Sequence, residues 1–224
     1  MKAKLEAITQ PVNPELNVEQ FLAYVARVSN PSNQNNHLTA PKLLKYLVKH
    51  KHWSPFEMVN LVIELEVPRD IGRQILRHRS FSFQEFSQRY ADPSKSMGFI
   101  RREARLQDTQ NRQNSVELDP DNQEHMFISQ TWTELQDKLS NQAEMAYKWA
   151  IDHGIAKEQA RTILPEGLTM SRMYMNGTLR SWMHYCLTRM KPDTQKEHRE
   201  VAEACWKIIL QEFPSLNNIV IENE

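Results

Sequence analysis

Residues 58–67 read MVNLVIELEV, and apolar side chains recur at every second position. A period of two is typical of a β-strand that buries one face. Pro68 then closes the strand, and Asp70 is placed to cap a short helix that runs to about Arg79. The segment therefore predicts a strand followed at once by a helix. The face expected to be buried carries Val59, Leu61, Ile63, Leu65 and Val67.

Apolar residues at helical spacing predict amphipathic helices on both sides of this strand. Asn17 and Gln20 form a candidate capping box at the start of the first helix, and Thr194 with Glu197 is a candidate start for the last. The predicted helices cover residues 17–29, 39–50, a long stretch that contains residues 132–150 and stops at Gly154, then residues 157–164, 179–190 and a last helix through Ile209.

The order of these elements predicts the fold class. A weaker strand is expected over residues 168–175, and residues 92–123 lack periodicity, which predicts a long surface excursion. Helices and strands do not alternate strictly, which favours an α+β fold with a mixed central sheet packed with several helices. The length of 224 residues allows one domain, residues 1–224, with a substantial core.

Composition excludes several classes of protein. Lys plus Arg and Asp plus Glu are each 28, so no global field attracts nucleic acid or an anionic membrane. Charged residues interrupt the apolar runs and the N-terminus lacks the apolar core of a signal peptide, so no membrane-spanning segment is predicted. No glycine-rich phosphate loop occurs. Cys186 and Cys205 lie in helical patterns, which favours a reducing, cytoplasmic location.

Residues 74–90, QILRHRSFSFQEFSQRY, carry polar side chains that no amphipathic pattern explains. On the helix before them, Arg69, Arg73 and Arg77 share one face, where like charges repel unless anions lie opposite. A solvated basic face is the simplest interpretation of such arginines. The mixture of guanidinium forks with Glu85 and Tyr90 instead favours a binding site for phosphate and carbonyl oxygens.

This segment resembles the signature of the flavin-dependent thymidylate synthases, RHR followed by seven residues and Ser. Further blocks are similar to that family in the same order, so the resemblance covers roughly residues 20–190. The signature residues are Arg77, His78, Arg79 and Ser87; the other blocks are Ala26 to Ser29, His52 with Ser54 to Glu57, Ala160 and Arg161 with Leu164 and Pro165, and Arg180, Ser181, Met183 and His184 with Arg189.

The resemblance implies a homotetramer whose active sites lie at subunit interfaces. Each site would hold FAD beside dUMP, methylenetetrahydrofolate would donate the carbon, and NADPH would reduce the flavin. The product would be dTMP. No metal, nucleic acid or membrane is implied.

The resemblance also implies roles for individual residues. Arg189, Ser87 and His52 would be catalytic, and His52 and Tyr90 would line the path of folate and nicotinamide. The dUMP pocket would contain Gln74, Arg77, Glu85, Ser87, Arg89, Arg161 and Arg189. The FAD site would contain Ser29, Ser54, Glu57, Arg77, His78, Arg79, Ser80, Glu85, Arg180 and His184.

These residue types suit the implied chemistry. An arginine near the pyrimidine carbonyls, here Arg189, can stabilise the enolate charge that develops when C5 becomes nucleophilic. The flavin carries the redox step, so no cysteine nucleophile is needed. Cys186 and Cys205 are accordingly predicted to be core residues. The chain departs from the family pattern at Thr178 and Gln84, where the family usually has Asn.

Other interpretations remain open from the sequence. His50, His52 and His78 could be considered as a metal site, although no zinc-type spacing accompanies them. The arginines could belong to a nonenzymatic RNA- or nucleotide-binding module, or the chain could be a family member that has lost methyl transfer. Two further groups have simple structural interpretations. Trp132, Trp149, Trp182 and Trp206 are predicted core residues, and Arg101, Arg102 and Arg105 a solvated face that could alternatively meet a neighbouring subunit's ligand.

Overall fold

A computed structural model describes residues 1–91 and 97–217. The strands are β1 (Lys2–Ile8), β2 (Asn60–Pro68), β3 (Ser82–Glu85), β4 (Arg105–Gln107), β5 (Ser115–Glu117) and β6 (Met170–Thr178). The helices are α1 (Val18–Ala26), α2 (Ala40–Lys49), α3 (Arg69–Ile75), α4 (Gln123–Asp152), α5 (Lys157–Ala160), α6 (Leu179–Arg189) and α7 (Lys196–Glu212). This mixture of a sheet with several helices confirms the predicted class.

The central sheet has the strand order β1-β2-β6-β3. Every pairing in its described strands is antiparallel, so the prediction of a sheet with mixed strand directions is wrong. The physical reason lies in the return path of the chain. Met170 opens β6 directly opposite Pro68, the last residue of β2, and Thr178 ends it opposite Asn60. Because β6 starts where β2 stops, it must run back along β2.

The core lies on the sheet face that the sequence pattern identifies. Leu61, Ile63 and Leu65 of β2 are completely buried, and so are Met173 and Met175 of β6. Helices α1, α2, α3, α6 and α7 also contribute to this core. The strand prediction for residues 58–67 is confirmed, and so is the weaker one near residues 168–175, although β6 extends further.

The helices lie where they were predicted, but several begin or end at other residues than expected. Asn17 and Gln20 form the predicted capping box, but α1 ends at Ala26. Helix α3 ends at Ile75 rather than near Arg79, and Asp70 does not cap it. Thr194 does not cap α7 either, because the helix starts at Lys196 without a side-chain cap. Both carboxylates that the sequence assigned to helix starts, Asp70 and Glu197, instead pair with arginines.

Strands β1 and β3 were not predicted. In β1 the alternation is broken by a register shift between Leu5 and Ala7, which hides its period of two. Strand β3 covers only Ser82–Glu85 and owes its conformation to pairing with β6. A strand this short acquires its identity from its neighbour, because periodicity needs more residues to emerge.

The segment 92–123 is only partly the unstructured excursion that was predicted. Strands β4 and β5 form an antiparallel hairpin inside it, and Gln123 already starts α4. Residues 92–96 lie outside the described residues. Hairpin strands of three residues give no usable sequence period, so β4 and β5 were missed for the same reason as β3.

Helix α4 is the least buried large element. Gln136, Ala143, Tyr147 and Ala150 are the buried residues of this helix, whereas Trp132 and Trp149 are exposed. The prediction that Trp132 and Trp149 are core residues is therefore wrong for the single chain, while Trp182 is completely buried. Helical spacing identifies an apolar face but not the surface that covers it. No helix in the described ranges is both long and apolar enough to cross a bilayer.

Candidate active site

The motif segment is held against the sheet by a close approach at Gly177. A Cβ atom at Gly177 would lie 2.4 Å from Cδ1 of Phe81, so only glycine allows this contact. Phe81 also meets the rings of Trp182 and Tyr185, with centroid distances of 4.9 and 5.9 Å. These contacts anchor the turn between α3 and β3, in which Arg77, His78 and Arg79 lie.

The first group of predicted site residues joins the ends of α3 and α6. Arg189 Nε donates to Nε2 of His78 over 3.1 Å. Burial, together with the positive charges of Arg189 and Arg77, lowers the pKa of His78 to about 4. His78 is therefore neutral near pH 7 and accepts from Arg189, which keeps its charge and its remaining N–H groups for a ligand. Gln74, the third member, contacts Gln195 and His198.

The second group surrounds Glu85. Arg73 Nη2 lies 2.6 and 2.7 Å from the two carboxylate oxygens of Glu85, and Ser171 Oγ donates to the same carboxylate over 3.1 Å. Arg69 lies 3.6 Å from it, and burial lowers the pKa of Arg69. Arg69 and Arg73 also face Glu166. These two arginines are thus neutralised by carboxylates and do not form the solvated basic face.

The third group lies after β3 and is tied to α5. The backbone N–H of Arg89 donates to Ser87 Oγ over 3.4 Å, and its guanidinium lies 5.6 Å from the ring centroid of Tyr90. Arg89 Nε is 3.7 Å from Glu158, whose backbone oxygen accepts from Nε of Arg161 over 3.3 Å. The structure therefore brings Ser87, Arg89 and Arg161 to one region.

The fourth group lies at the start of α6. Arg180 Nη1 donates to Glu57 Oε1 over 2.7 Å. A hydrogen bond from Thr178, followed by Arg180 and His184, lowers the pKa of Glu57. Burial and the charge of Arg180 lower the pKa of His184, whose ring lies 4.9 Å from that of Trp53.

Ser54 begins the short turn that carries Glu57. Thr178 Oγ1 accepts from the backbone N–H of Ser181 over 3.2 Å, so the threonine that departs from the family pattern caps α6.

The remaining predicted residues lie on exposed turns. Ser29 follows α1 and is exposed, and His52 lies 6.2 Å from the rings of both Tyr46 and His50. Arg77 and Arg79 are exposed and have no ion-pair partner within the described part of the chain, and Ser80 is also exposed. Guanidinium groups without a carboxylate partner are suited to bind the oxygens of a phosphate or diphosphate.

In the described part of the chain, the four groups are not connected by hydrogen bonds. Among residues 1–91 and 97–217, no hydrogen bond or ion pair joins one of the four groups to another. In the same ranges no cluster of at least 3 His, Cys, Asp or Glu side chains is arranged to hold a metal ion.

The sequence of this chain matches the family described as "Thymidylate synthase complementing protein" over residues 12–215. It is 48% identical to a "Probable flavin-dependent thymidylate synthase" of Paramecium bursaria Chlorella virus 1, over 96% of this chain and 97% of that protein. It is 44% identical to a flavin-dependent thymidylate synthase of Synechocystis, over 92% of this chain and 89% of that protein. The chain belongs to the flavin-dependent thymidylate synthase family. The resemblance found in the sequence motifs is thereby confirmed.

One solved structure has a similar fold. A crystal structure of a UMP/dUMP methylase, PolB from Streptomyces cacaoi, bound with 5-Br dUMP, superposes with a TM-score of 0.71 at 23% identity, covering 96% of this chain and 93% of that one. At this level of identity the likeness concerns the fold. The flavin-dependent thymidylate synthases are methyltransferases that need a flavin, so the predictions of an enzyme and of a flavin cofactor are confirmed.

Sequence reasoning missed the polar residues that support this family's motif. Arg102 and Arg105 are not a solvated face, because both are largely buried and pair with Glu197 at 3.1 and 2.8 Å. Arg101 alone of the three is exposed, and it pairs with Asp137. The sequence also assigned no role to Gln195 or His198. A sequence signal was available, because Glu197 and His198 are polar residues on the face of α7 that is buried. It was overlooked because Thr194 and Glu197 were interpreted as the start of the helix.

Proposed function

We propose that this chain catalyses the reductive methylation of dUMP to dTMP, with methylenetetrahydrofolate as carbon donor, FAD as hydride carrier and NADPH as reductant. Family membership supports the reaction class. The observation that carries the proposal is the contact of Arg189 with neutral His78, beside the motif arginines. Neutral His78 orients the guanidinium of Arg189 without neutralising it, so the full positive charge of Arg189 can act on a substrate carbonyl.

The dUMP pocket in this proposal combines the first three groups. Cationic donors for the phosphate and paired donors and acceptors for the uracil edge are what this nucleotide requires. Glu85 is already held by arginines and Ser171, so its carboxylate has a fixed position. The residues proposed to contact dUMP are Gln74, Arg77, Glu85, Ser87, Arg89, Arg161 and Arg189.

The chemistry of the donor set fits FAD. Arg77 and Arg79 supply exposed guanidinium groups suited to its diphosphate, and Glu57 with Arg180 supplies an acceptor and a donor at the start of α6. When bound, the flavin supplies the redox chemistry. Ser29, Ser54, His78, Ser80, Glu85 and His184 complete the proposed FAD site, and His52 and Tyr90 the proposed path for folate and nicotinamide.

The residues of this chain perform the polar steps of the proposal. Arg189 stabilises negative charge on the pyrimidine oxygens as C5 becomes nucleophilic, and Ser87 holds the nucleotide in position. A cysteine nucleophile is not used. Cys186 and Cys205 are completely buried, and burial raises the pKa of both thiols. Deprotonation of either thiol near pH 7 is therefore strongly disfavoured.

We propose further that the active enzyme is a homotetramer with sites at its interfaces. Two observations support this. No hydrogen bond or ion pair joins the four groups of predicted site residues within the described part of the chain, and α4 exposes the large apolar side chains of Trp132, Leu139 and Trp149. A face of this kind is typical of a surface that another protein covers.

The test combines a spectrum with an assay. The purified protein should show an oxidised-flavin spectrum that bleaches when NADPH is added anaerobically with dUMP, and it should form dTMP when methylenetetrahydrofolate is supplied. Arg189→Ala and Ser87→Ala should each lower dTMP formation by at least about a hundredfold. Lys207→Ala, which removes an exposed cation of α7, is the control and should retain activity.

The possible results separate the alternatives. A colourless protein that takes up no added FAD would overturn the proposal, and steeply salt-dependent oligonucleotide binding would favour an RNA-binding module. A flavoprotein that forms no dTMP would identify a family member that has lost methyl transfer. Full activity of Arg189→Ala or of Ser87→Ala would contradict the role assigned to that residue.

A further inference from the structure

A chain of buried and half-buried polar groups includes Gln74. Nδ1 of His198 lies 3.3 Å from Gln74 Oε1, and Nε2 of the same ring lies 3.1 Å from the hydroxyl of Tyr185. On its other side, Gln74 Nε2 donates to Gln195 Oε1 over 2.7 Å. Gln195 Nε2 then donates to Glu197 Oε2 over 3.0 Å. Five side chains are thus connected in one line.

The direction of every hydrogen bond in this line is determined. An amide oxygen only accepts, so Nδ1 of His198 carries the ring proton that it donates to Gln74. Burial, with the charge of Arg189, lowers the pKa of His198 to about 3, so the ring is neutral and Nε2 must accept from Tyr185. Each member therefore donates to the next, from Tyr185 to Glu197.

The line ends at a carboxylate that cannot rotate freely. Arg105 Nη2 donates to both oxygens of Glu197, over 2.8 and 2.9 Å, and Arg102 lies 3.1 Å away. Burial opposes ionisation of Glu197, but a backbone hydrogen bond and the charges of Arg102 and Arg105 together lower its pKa. Glu197 is therefore a permanent acceptor for Gln195.

We propose that Gln195 is a positioning residue that fixes the amide orientation of Gln74 for dUMP recognition. The inference rests on the proposed function, which assigns Gln74 to the dUMP pocket. Rotating the Gln74 amide by half a turn would place its oxygen against the oxygen of Gln195, whose own orientation is fixed by the hydrogen bond from its N–H to ionised Glu197. Gln74 thus has one stable orientation, with one N–H and one lone pair left for the nucleotide.

A thermodynamic cycle on the flavin-loaded enzyme tests this. Binding of dUMP is measured by titration calorimetry for the wild type, Gln195→Met, Gln74→Ala and the double variant. Gln195→Met keeps the side-chain length but removes both hydrogen bonds, so dUMP should bind about tenfold more weakly. In the Gln74→Ala background, Gln195→Met should have no further effect, because the amide that Gln195 orients is gone.

Steady-state kinetics adds a second measurement. Gln195→Met should raise KM for dUMP about tenfold while kcat stays within about twofold, because only the fit of the nucleotide changes. Lys196→Met is the matched control on the same helical turn. Its ammonium pairs with Glu103 and Glu117 and has no part in the line, so dUMP binding should not change. If Gln195→Met does not fold, Gln195→Asn, which is too short to span both partners, should give the same loss.

The two proposals fail differently. If the wild type does not bind dUMP, both the function and this role are overturned. If the wild type binds dUMP but Gln195→Met binds it equally well, only the role of Gln195 is overturned. The same holds if the losses from Gln195→Met and Gln74→Ala multiply in the double variant, since independent effects would mean that Gln195 does not act through Gln74.

Discussion

Strand β2 and helix α4 both carry apolar side chains at regular spacing, yet they are buried to very different degrees. Leu65 of β2 is 0% exposed, whereas Leu139 and Trp149 of α4 are 49% and 58% exposed. The helix is the longer element, with 30 residues against 9. Apolar periodicity therefore identified a face in each element, but the same chain covers the whole face of β2 and only the part of α4 around Ala143 and Ala150.

The difference shows which part of the molecule is complete in one subunit. The sheet closes its core against α1, α2, α3, α6 and α7. Helix α4 instead meets the rest of the chain through a small apolar cluster, in which Tyr147 and Ala150 pack with Ala160, and through Arg102, whose backbone exchanges hydrogen bonds with Gln136 at 2.7 and 2.8 Å. Under the proposed assembly, the exposed face of α4 is the surface that further subunits cover.

The ion pair between Glu197 and Arg102 connects the sheet region to α4. We expect substitution of Glu197 to have one of the largest effects on the free energy of unfolding. Glu197 of α7 neutralises Arg102, which in turn holds α4. Glu197→Gln would remove the buried carboxylate that Arg102 and Arg105 share, leaving, among the described residues, Arg102 paired only with Asp70 and Arg105 only with Glu103, so the free energy of unfolding should fall by about 3 kcal/mol. Urea denaturation measures this change. Asp137→Asn, which breaks the exposed pair with Arg101, should cost less than about 1 kcal/mol, and equal losses would contradict the distinction.

Truncations within each region test the comparison directly. Leu65→Ala should lower the free energy of unfolding by about 2–5 kcal/mol at any protein concentration, because it opens a cavity in a core closed within the subunit. Leu139→Ala is its counterpart on α4. Its effect should depend on protein concentration and should lower the oligomeric mass seen by light scattering. A concentration-independent loss for Leu139→Ala would mean that α4 is not an intersubunit surface.

The close approach at Gly177 gives a smaller effect confined to the sheet. Gly177→Ala would push against the ring of Phe81, so we expect a loss of about 1–3 kcal/mol in the free energy of unfolding. Because Phe81 anchors the motif turn, flavin binding should weaken as well. Gly167→Ala is the matched control, since a Cβ there meets nothing within 4 Å. Equal stability of the two variants would disprove the packing argument.

Acid should weaken the sheet region through its buried histidines. The pKa of His198 falls to about 3 and that of His78 to about 4, below the value of about 6.5 in an unfolded chain. The unfolded state therefore binds more protons below pH 6.5, and the stability present above that pH is lost as the pH falls toward these values. His198→Gln should reduce the slope of stability against pH between 6.5 and 4 by about 1.4 kcal/mol per pH unit. An unchanged slope in chemical denaturation would contradict a neutral His198.

The sequence predicted much of the fold because β2, α1, α2 and α6 are long enough for their periods to emerge. It missed β1, where a register shift interrupts the period, and β3, whose four residues acquire their conformation from β6. The sheet was expected to be mixed in strand direction. Direction depends on where the chain re-enters the sheet, which no local pattern encodes.

For the candidate site, the sequence alone determined the family and the chemistry-bearing residues, because Arg77, His78, Arg79 and Ser87 form a motif at fixed spacing. Only the tertiary structure decided what these residues contact. Neutral His78 under Arg189, the carboxylate of Glu85 between arginines, and Gln195 behind Gln74 join side chains far apart in the chain. Pairing and burial of charge depend on distances across the fold, so spacing along the sequence cannot supply them.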